Sequence, residues 1–253
     1  MHKLKNLIIL SVLTTLIVVA SGSPPNALAS PNAVAPNLGA AATFVALAGS
    51  TLTNTGSGVY YGDVGTFPGT EIIGFPPGTV VNGSIYAGGS VPALAQTDAN
   101  TAYVNLAGQT CNVDFTGVDL GGKTLTPGVY CFDTSAQLTG NLVLDALGNP
   151  HAVWVFQTGS TLTTAPGSSV AVINGGQALN VYWKVGSSAT LDTTTLFIGN
   201  IIADASISML AGASLTGRAL ALHGAVTMDT NGSLPIQNTM LLNSMYLPVI
   251  ARP

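Results

Sequence analysis

The chain reads Ala205-Ser206-Ile207-Ser208-Met209 and, one repeat later, Gly224-Ala225-Val226-Thr227-Met228. In an extended strand, neighbouring side chains point to opposite faces, so the central apolar residue points inward and its small neighbours point outward. The same cassette, Leu or Ile between small polar residues, recurs at Thr51-Leu52-Thr53, Thr124-Leu125-Thr126, Thr161-Leu162-Thr163, Thr190-Leu191-Asp192-Thr193 and Ser214-Leu215-Thr216. A chain that repeats this unit predicts a flat outer wall of threonine and serine.

The spacing of these cassettes predicts the architecture. Val153 to Thr164 also resembles Val181 to Thr194, with one residue inserted. Self-similarity at a period of about 20 residues, with three short strands per period, is typical of a β-solenoid with a three-sided coil. We expect the inward residues to stack at about 4.8 Å per coil, namely Leu162, Leu191, Ile207, Leu215 and Val226. A β-sandwich of meandering strands is the alternative, because short strands with glycine turns look alike in both folds.

One segment departs from the strand period and predicts a helix over about residues 91–107. Ser90 is placed to cap it, Pro92 falls in its first turn, and Gly108 ends it. The apolar positions recur every three or four residues, at Leu94, Ala95, Ala99, Ala102, Tyr103 and Leu106. This alanine-rich side predicts close packing along another element.

The two ends of the chain differ from its middle. Residues 1–29 have the features of a secretory signal peptide: Lys3 and Lys5, an apolar run, and Ala27-Leu28-Ala29 as a cleavage site. An uncleaved membrane anchor is the alternative, although the run is shorter than the roughly 20 residues that span a bilayer. We expect a Pro/Ala-rich linker at 30–37, one domain at 38–232, and a tail at 233–253 that packs on the terminal coil or serves as an attachment signal.

Composition excludes some classes of function. Charged residues make up 6% of the chain, against about a quarter in ordinary proteins. Cleavage after Ala29 changes the formal charge from −4 to about −6, since it removes two lysines. A surface that follows nucleic-acid phosphates is therefore not expected. We expect a secreted monomer with no cofactor and, after cleavage, no membrane contact.

Cys111 and Cys131 are the two cysteines. In an exported chain their default state is one disulfide, worth on the order of 3 kcal/mol in the chain-entropy model. A zinc site is a poor alternative, because His151 and His223 are isolated and no CxxC motif occurs. No metal site is predicted.

Several stretches together resemble the microbial ice-binding proteins of the DUF3494 family. The resemblance covers about residues 38 to 232. The stretches that carry it are Leu38 to Phe44, Leu47 to Gly56, Gly62-Asp63-Val64-Gly65, Gly74-Phe75-Pro76-Pro77-Gly78, Ala99 to Tyr103, Trp183 to Thr190 and Gly217-Arg218-Ala219-Leu220-Ala221.

The resemblance implies a fold and an activity. The fold is all-β with one long helix: a discontinuous right-handed β-solenoid of triangular cross-section, with the α-helix packed along one side. The activity is adsorption to ice, with thermal hysteresis and inhibition of ice recrystallisation. Some members carry a Thr-Ala/Gly-x-Thr/Asn motif on the ice-binding face. Thr158-Gly159-Ser160-Thr161 fits it, whereas Asp204-Ala205-Ser206-Ile207 and His223-Gly224-Ala225-Val226 depart from it.

These considerations predict one ice-binding wall. β-Branched threonine has a restricted χ1, so rigid rows of it lose little entropy on docking to ordered water. The candidate residues are Thr158, Ser160, Thr161, Thr163, Ser188, Thr190, Asp192, Ser206, Ser208, Ala225 and Thr227. The wall that contains Ser214 and Thr216 is the main rival. Hydroxyl ladders also arise from strand propensity alone.

Two other classes of function compete with ice binding. A non-catalytic adhesin or glycan-binding solenoid would use the same kind of wall. A polysaccharide-cleaving solenoid would need clustered acids, for which Asp192, Asp204 and Asp229 are the candidates. These acids lack a nearby Arg or Lys, and no nucleophile elbow, metal cluster or phosphate loop occurs. The chain is therefore not predicted to be an enzyme. Trp154, Phe156, Trp183 and Phe197 are expected in the core.

Overall fold

The computed structural model describes residues 33–229 and the backbone of residues 233–235. The predicted signal peptide, residues 30–32 of the predicted linker and most of the predicted tail lie outside this part. Within it the chain is mostly β with one long helix, and every strand pairing is parallel. No helix among the described residues is long and apolar enough to cross a bilayer. The strands wind as a β-solenoid with three walls, which confirms the predicted fold class and excludes the sandwich.

The strands are numbered in chain order. Wall B is a single seven-stranded sheet. From one end to the other it contains β11 (Ala136–Leu138), β14 (Leu162–Thr164), β17 (Ala189–Leu191), β19 (Ile207–Met209), β21 (Val226–Met228), β2 (Thr51–Asn54) and β5 (Glu71–Ile73).

Wall A contains the second halves of two long strands, β18 (Leu196–Ala203) and β20 (Ser214–Ala221). Its order is β7 (Ile85–Ala87), β4 (Asp63–Thr66), β1 (Phe44–Ala48), β20, β18, β16 (Val181–Val185), β13 (Trp154–Thr158), β10 (Gly128–Phe132) and β8 (Val113–Asp114).

Wall C contains the first halves of β18 and β20. Before them come β9 (Thr124–Leu125), β12 (Asn141–Asp145) and β15 (Ser169–Ile173). After them, beside β20, lies a three-stranded sheet of β22 (Ser233–Pro235), β3 (Val59–Tyr61) and β6 (Thr79–Val81).

The corner between walls C and A is a bend inside β18 and β20. The first half of β18 pairs with β15 and its second half with β16. Gly199 and Gly217 are partners at the bend, with φ of 116° and 148°, a region that only glycine adopts readily. A Cβ on Gly217 would collide with the carbonyl oxygen of Gly199. Glycine is therefore required for the coils to stack at this corner.

The solenoid is discontinuous, since the N-terminal strands stack on the C-terminal coil. β1 pairs with β20, and β2 pairs with β21. The side chain of Arg218 holds this junction: Nε and Nη2 donate to the carbonyl oxygen of Ala42 at 3.0 and 2.6 Å, and Nη1 donates to Oδ1 of Asn200 at 2.7 Å. Asn200 in turn donates to the carbonyls of Leu179 and Val181. Burial lowers the pKa of Arg218.

The core lies inside the triangle of walls and confirms the predicted inward positions. Leu162, Leu191, Ile207, Leu215 and Val226 are fully buried. An aromatic column crosses neighbouring coils, with Phe156 and Trp183 stacked at 3.9 Å between ring centroids and Phe197 at 4.8 Å from Trp183. Trp154 is also fully buried. These rings pack in the core, as the sequence predicts, and fix the coils against sliding.

The helix α1 (Ser90–Ala107) covers wall A. Its Ala95, Ala99, Ala102 and Leu106 are buried against apolar residues on the outer side of that wall, Leu47, Val129, Val155, Tyr182, Ile202 and Leu220. Two details differ from prediction. Ser90 is the first helical residue and Gly89 is the N-cap, without a side-chain capping bond. Leu94 is 57% exposed, because it lies on the helix side that faces away from wall A.

Two further predictions need correction. The steps from Ala189 to Ile207 and from Ile207 to Val226 keep the predicted period, but the step from Leu162 to Ala189 is longer. The extra residues form an extended turn that includes the short helix Ala178–Asn180.

Residues 33–37, predicted as linker, pack on the domain. Ala33 is buried, and the backbone N–H and C=O of Val34 bond to the side chain of Gln109 at 2.9 and 2.7 Å.

The predicted disulfide between Cys111 and Cys131 is present, with the Cα atoms 5.9 Å apart. It joins the loop after α1 to β10. The bond therefore fixes the C-terminal end of the helix to wall A.

Candidate functional site

Wall B carries two rows of outward side chains, and most of these side chains are small. The residues that follow the inward positions form the central row: Gln137, Thr163, Thr190, Ser208, Thr227, Thr53 and Ile73. The residues that precede the inward positions form the leading row: Ser135, Thr161, Ser188, Ser206, Ala225, Thr51 and Glu71. Within a row the spacing is about 4.8 Å, and the two rows are about 6.7 Å apart.

The hydroxyls of the two rows differ in their bonding. In the leading row, Ser188 Oγ accepts from the Ser206 N–H at 3.3 Å, and Ser206 Oγ accepts from the Ala225 N–H at 3.1 Å. Thr161 Oγ1 donates to Ser135 Oγ at 2.8 Å. In the central row, Thr163, Thr190, Ser208, Thr227 and Thr53 have no hydrogen-bond partner for their hydroxyls within residues 33–229. The leading row is therefore partly fixed by the protein, while the central row is free to bond to water.

The rows change character at the two ends of the wall. At the β11 end, a depression of about 400 Å³ opens between the loop at Gly117 to Asp119 and the residues Ser135, Gln137 and Thr161. At the β5 end, the wall finishes in exposed Ile73 and Glu71. The flat and uncharged part therefore covers β14, β17, β19, β21 and β2.

Most of the predicted site residues lie on this wall. Thr163, Thr190, Ser208 and Thr227 are in the central row, and Thr161, Ser188, Ser206 and Ala225 are in the leading row. Asp192 comes after β17 at the far edge, where its carboxylate accepts from the Thr193 N–H at 2.6 Å. Ser160 lies at the opposite edge, in the corner between walls A and B, and is half-buried.

The prediction that Thr158 belongs to the ice-binding wall is wrong. Thr158 ends β13 of wall A and points inward, with 1% of its surface exposed. Its hydroxyl has no hydrogen-bond partner among the described residues. The chain turns a corner between Thr158 and Leu162, which resets the alternation of inward and outward side chains. Thr158 therefore cannot contact a surface outside the wall.

The alignment of the family motif also shifts by one residue. The pairing places Ile207 and Ala189 opposite Leu162, so Ser206 and Ser188 correspond to Thr161. The alignment of Asp204-Ala205-Ser206-Ile207 with Thr158-Gly159-Ser160-Thr161, made from the sequence motif alone, instead places Ile207 at the position of Thr161. A one-residue slip moves every side chain to the other face. On the observed register, the outward positions of these coils are hydroxyl residues, and the apparent departure at Ile207 disappears.

Sequence reasoning misses the contribution of the N-terminal strand. Thr51 and Thr53 continue the two rows next to Ala225 and Thr227. The cassette Thr51-Leu52-Thr53 is a usable signal, but it stands far before the other members in the chain. Only the stacking of β2 on β21 joins it to them.

The rival wall and the enzymatic alternative have a different geometry. On wall C, Ser214 and Thr216 align with Leu196 and Ile198, so the hydroxyl pattern stops after one coil. Asp192 and Asp229 lie on the far edge of wall B, where Thr55 Oγ1 donates to Asp229 Oδ1 at 2.6 Å. Asp204 lies on the opposite edge, 3.2 Å from Nδ1 of His223. The three acids therefore do not converge on one site.

Comparisons with known proteins identify the family of the chain. Residues 46–233 match the family described as Ice-binding-like. A curated "Ice-binding protein" from Nostoc sp. (strain HG1) is 55% identical over 195 residues, covering 77% of this chain and 72% of that protein. Another from Flavobacterium frigoris (strain PS1) is 32% identical over 209 residues, covering 77% and 74%.

A solved structure has the same fold. The crystal structure of an ice binding protein from an Antarctic biological consortium superposes with a TM-score of 0.77 at 44% identity. The match covers 81% of this chain and 93% of that one. The likeness therefore extends over nearly the whole described solenoid.

Proposed function

Because the chain belongs to the Ice-binding-like family, we propose that it binds ice through wall B. Binding to ice crystals and antifreeze activity are the function of the chain, and it is not an enzyme. The observation that carries the choice of wall is the uncharged pair of hydroxyl rows across five successive strands.

Ice presents an ordered array of water molecules without charges or pockets, so binding requires area, flatness and order. The parallel sheet supplies the order through its fixed spacing. The fixed χ1 of threonine limits the entropy lost on docking. The free hydroxyls of the central row bond to lattice water, and each threonine methyl group orders the water beside it.

The leading row has a second part in this proposal. Because Ser188 and Ser206 accept hydrogen bonds from the neighbouring coil, their side chains stay in one orientation. At Ala225 the leading row has no hydroxyl, but the small methyl side chain does not protrude above the neighbouring side chains. The leading row thus preserves flatness, and the central row supplies most of the bonds to water.

The setting of this activity belongs to the same proposal. The chain is secreted after removal of residues 1–29 and acts as a monomer, free of nucleic acid and membrane. Adsorbed molecules hold back the growth of the crystal, which gives thermal hysteresis and inhibits recrystallisation. A surface adhesin for glycans is the competing function, because a flat hydroxyl wall also suits sugars.

The test compares ice-crystal growth in the presence of wild type, Thr190→Tyr and the control Thr216→Tyr. Thr190 lies in the middle of the central row, and Thr216 is the matched outward position on wall C. We expect Thr190→Tyr to lose growth inhibition while Thr216→Tyr retains it, with both variants folded by circular dichroism. Full inhibition by Thr190→Tyr would move the site to another wall, and glycan binding with no effect on ice would favour the adhesin.

A further inference from the structure

A groove lies between α1 and the corner at which walls A and B meet. Its volume is about 310 Å³, near the lower end of the range for sites that hold small molecules. Among the described residues, no Lys, Arg, Asp or Glu lines it. We call this cavity the α1 groove. Gln96 and Asn100 line it from the helix, and Phe67, Pro68, Leu222 and His223 line it from the corner.

Gln96 brings a nearly buried hydrogen-bond acceptor into the groove. The residue is 9% exposed, and its Nε2 donates to the carbonyl oxygen of Ala221 at 3.0 Å. This bond fixes the orientation of the amide. Oε1 has no hydrogen-bond partner among the described residues. Because a nearly buried oxygen without a partner is costly, a ligand O–H that reaches Oε1 gains more than it would at an exposed group.

His223 and Asn100 add polar groups at the mouth of the groove. Nδ1 of His223 lies 3.0 Å from the carbonyl oxygen and 3.2 Å from Oδ1 of Asp204. Both oxygens are acceptors, so Nδ1 carries the proton and Nε2 of the neutral ring is left as an acceptor. The amide of Asn100 is exposed and has no partner among the described residues. The groove therefore presents three groups that can bond to the hydroxyls of a ligand.

The rings of Phe67 and Pro68 give the groove an apolar side. The Phe67 N–H donates to the carbonyl oxygen of Ala48, and the Gly69 N–H donates to that of Gly49, both at 3.0 Å. These bonds attach the loop that carries both rings to the neighbouring coil. The apolar side is thus formed before a ligand arrives, which reduces the entropy lost on binding.

The polar and apolar sides together favour a neutral sugar. An anion would find no Lys or Arg among the described residues of the groove. A purely apolar ligand would leave Oε1 of Gln96 unpaired. A pyranose ring has hydroxyls around its edge and C–H groups on its faces. It therefore matches both sides of the groove at once.

We propose that the α1 groove binds a neutral hexopyranose unit. Its hydroxyls bond to Gln96, His223 and Asn100, and one face of its ring packs on Phe67. A free sugar and the end of a polysaccharide present this same unit. The groove lies on the α1 side of the corner, so a polysaccharide held there retains the protein while wall B stays open to ice.

A titration of the full chain with methyl glycosides of glucose, galactose and mannose, in both anomeric forms, tests the proposal. Nuclear magnetic resonance follows the side-chain amide signals of Gln96 and Asn100. We expect at least one glycoside to shift both signals to saturation. The absence of a saturable shift with all of these glycosides overturns the proposal. An oligosaccharide that ends in the bound sugar then separates the two sources, since tighter binding assigns the groove to a polysaccharide end and equal binding to the free sugar.

Variants locate the bound sugar. Asn100→Trp fills the groove and should weaken binding at least tenfold. Asn105→Trp is the matched control, because Asn105 is also exposed on α1 but does not line the groove, and it should bind as wild type does. If Asn100→Trp does not fold, His223→Ala replaces it, with an expected loss of at least threefold.

The position of the sugar is also tested from wall B. Thr190→Tyr should bind the glycoside as wild type does, and Asn100→Trp should retain growth inhibition. Loss of sugar binding in Thr190→Tyr but not in Asn100→Trp would place the sugar on wall B and overturn the proposal. Growth inhibition is a separate readout, so failure of the groove to bind sugar leaves the proposed function intact.

Discussion

Walls B and C are made by the same coils and differ in what their side chains present. Both are parallel sheets with inward residues that are almost completely buried. On wall B the outward positions of five successive strands are threonine, serine or alanine. On wall C the corresponding positions alternate between Leu196, Ile198, Ala171 and polar residues, and Asp145 adds a charge. The backbone therefore provides flatness to both walls, and the side-chain rows alone distinguish them.

Threonine hydroxyls of this chain have two different roles. Thr164 and Thr195 are buried and bond to each other at 2.9 Å between their Oγ1 atoms, which fixes the corner where wall B ends. Thr163, one residue before Thr164, points outward and has its hydroxyl free within the described residues. Threonine in this chain thus serves both the frame and the surface, according to its register.

The largest expected effect comes from breaking the frame that both walls share. Arg218→Met leaves the carbonyl of Ala42 and the amide of Asn200 without their donor, so we expect the free energy of unfolding to fall by about 2 kcal/mol. Chemical denaturation measures this. Arg218→Lys keeps the charge and should recover part of the loss. An unchanged unfolding midpoint for Arg218→Met would contradict the assigned junction between β1 and β20.

A charge in the central row should abolish the difference between the walls. Thr190→Lys introduces a long hydrated cation that lattice water cannot match, so we expect at least about a tenfold loss of growth inhibition, equal to about 1.4 kcal/mol. Thr216→Lys on wall C is the control and should leave inhibition unchanged. Similar losses in the two variants would mean that walls B and C do not differ in function.

Replacing Thr158 tests the corrected boundary of wall B. Its buried hydroxyl has no partner among the described residues, so Thr158→Val, which keeps the shape, should raise the free energy of unfolding by about 1 kcal/mol. Thermal unfolding measures the change. Growth inhibition should equal that of wild type, and a marked loss would return Thr158 to the binding surface.

Thr53→Tyr tests whether the ice-binding surface of wall B extends to β2. Because β2 is the last strand of its flat part, ice can still contact the four strands before it. We expect about a threefold loss of growth inhibition, equal to about 0.7 kcal/mol, with unchanged unfolding. Thr216→Tyr, on wall C, is the matched control. No loss at Thr53 would confine the site to the coils from β14 to β21.

The smallest expected effect is a pH dependence that belongs to wall C. Bonds from the Leu147 N–H and the Asn174 side chain lower the pKa of Asp145. The unfolded chain therefore binds the proton first, and this stabilisation is present above about pH 3.9 and is lost as the pH falls through the folded pKa. Asp145→Asn should remove that part of the pH dependence in thermal unfolding.

Growth inhibition should stay constant between about pH 5 and 9, because hydroxyls do not titrate there. A loss within that range would implicate a titrating group in ice binding.

Local alternation makes a large part of the fold and of the site predictable from the sequence. Leu162 and Val226 can be placed inside, and Thr190 and Thr227 on one wall, because each lies within a cassette with period two. The helix is predictable from its three- and four-residue spacing. The exposure of Leu94 is not, since the apolar stripe is wider than the side that wall A covers.

Features that depend on corners and on distant stacking cannot be predicted in this way. Thr158 is placed on the wrong wall, and the family motif pairs Ile207 with Thr161 instead of Leu162, because a corner of unknown length restarts the alternation. Thr51 and Thr53 are missed as site residues because their strand reaches the wall only through the pairing of β2 with β21. The longer coils are missed because their extra residues form turns that carry no strand period.

The most direct test of wall B as the ice-binding surface attaches the same bulky polymer to one wall at a time. Thr190→Cys and Thr216→Cys are each coupled to a maleimide polymer, and the fraction of protein taken up by a slowly growing ice hemisphere is measured. We predict that polymer on Thr190→Cys excludes the protein from ice, while polymer on Thr216→Cys leaves uptake as in the uncoupled protein. Uptake that is unchanged by polymer at position 190, or lost only with polymer at position 216, would contradict wall B as the ice-binding surface.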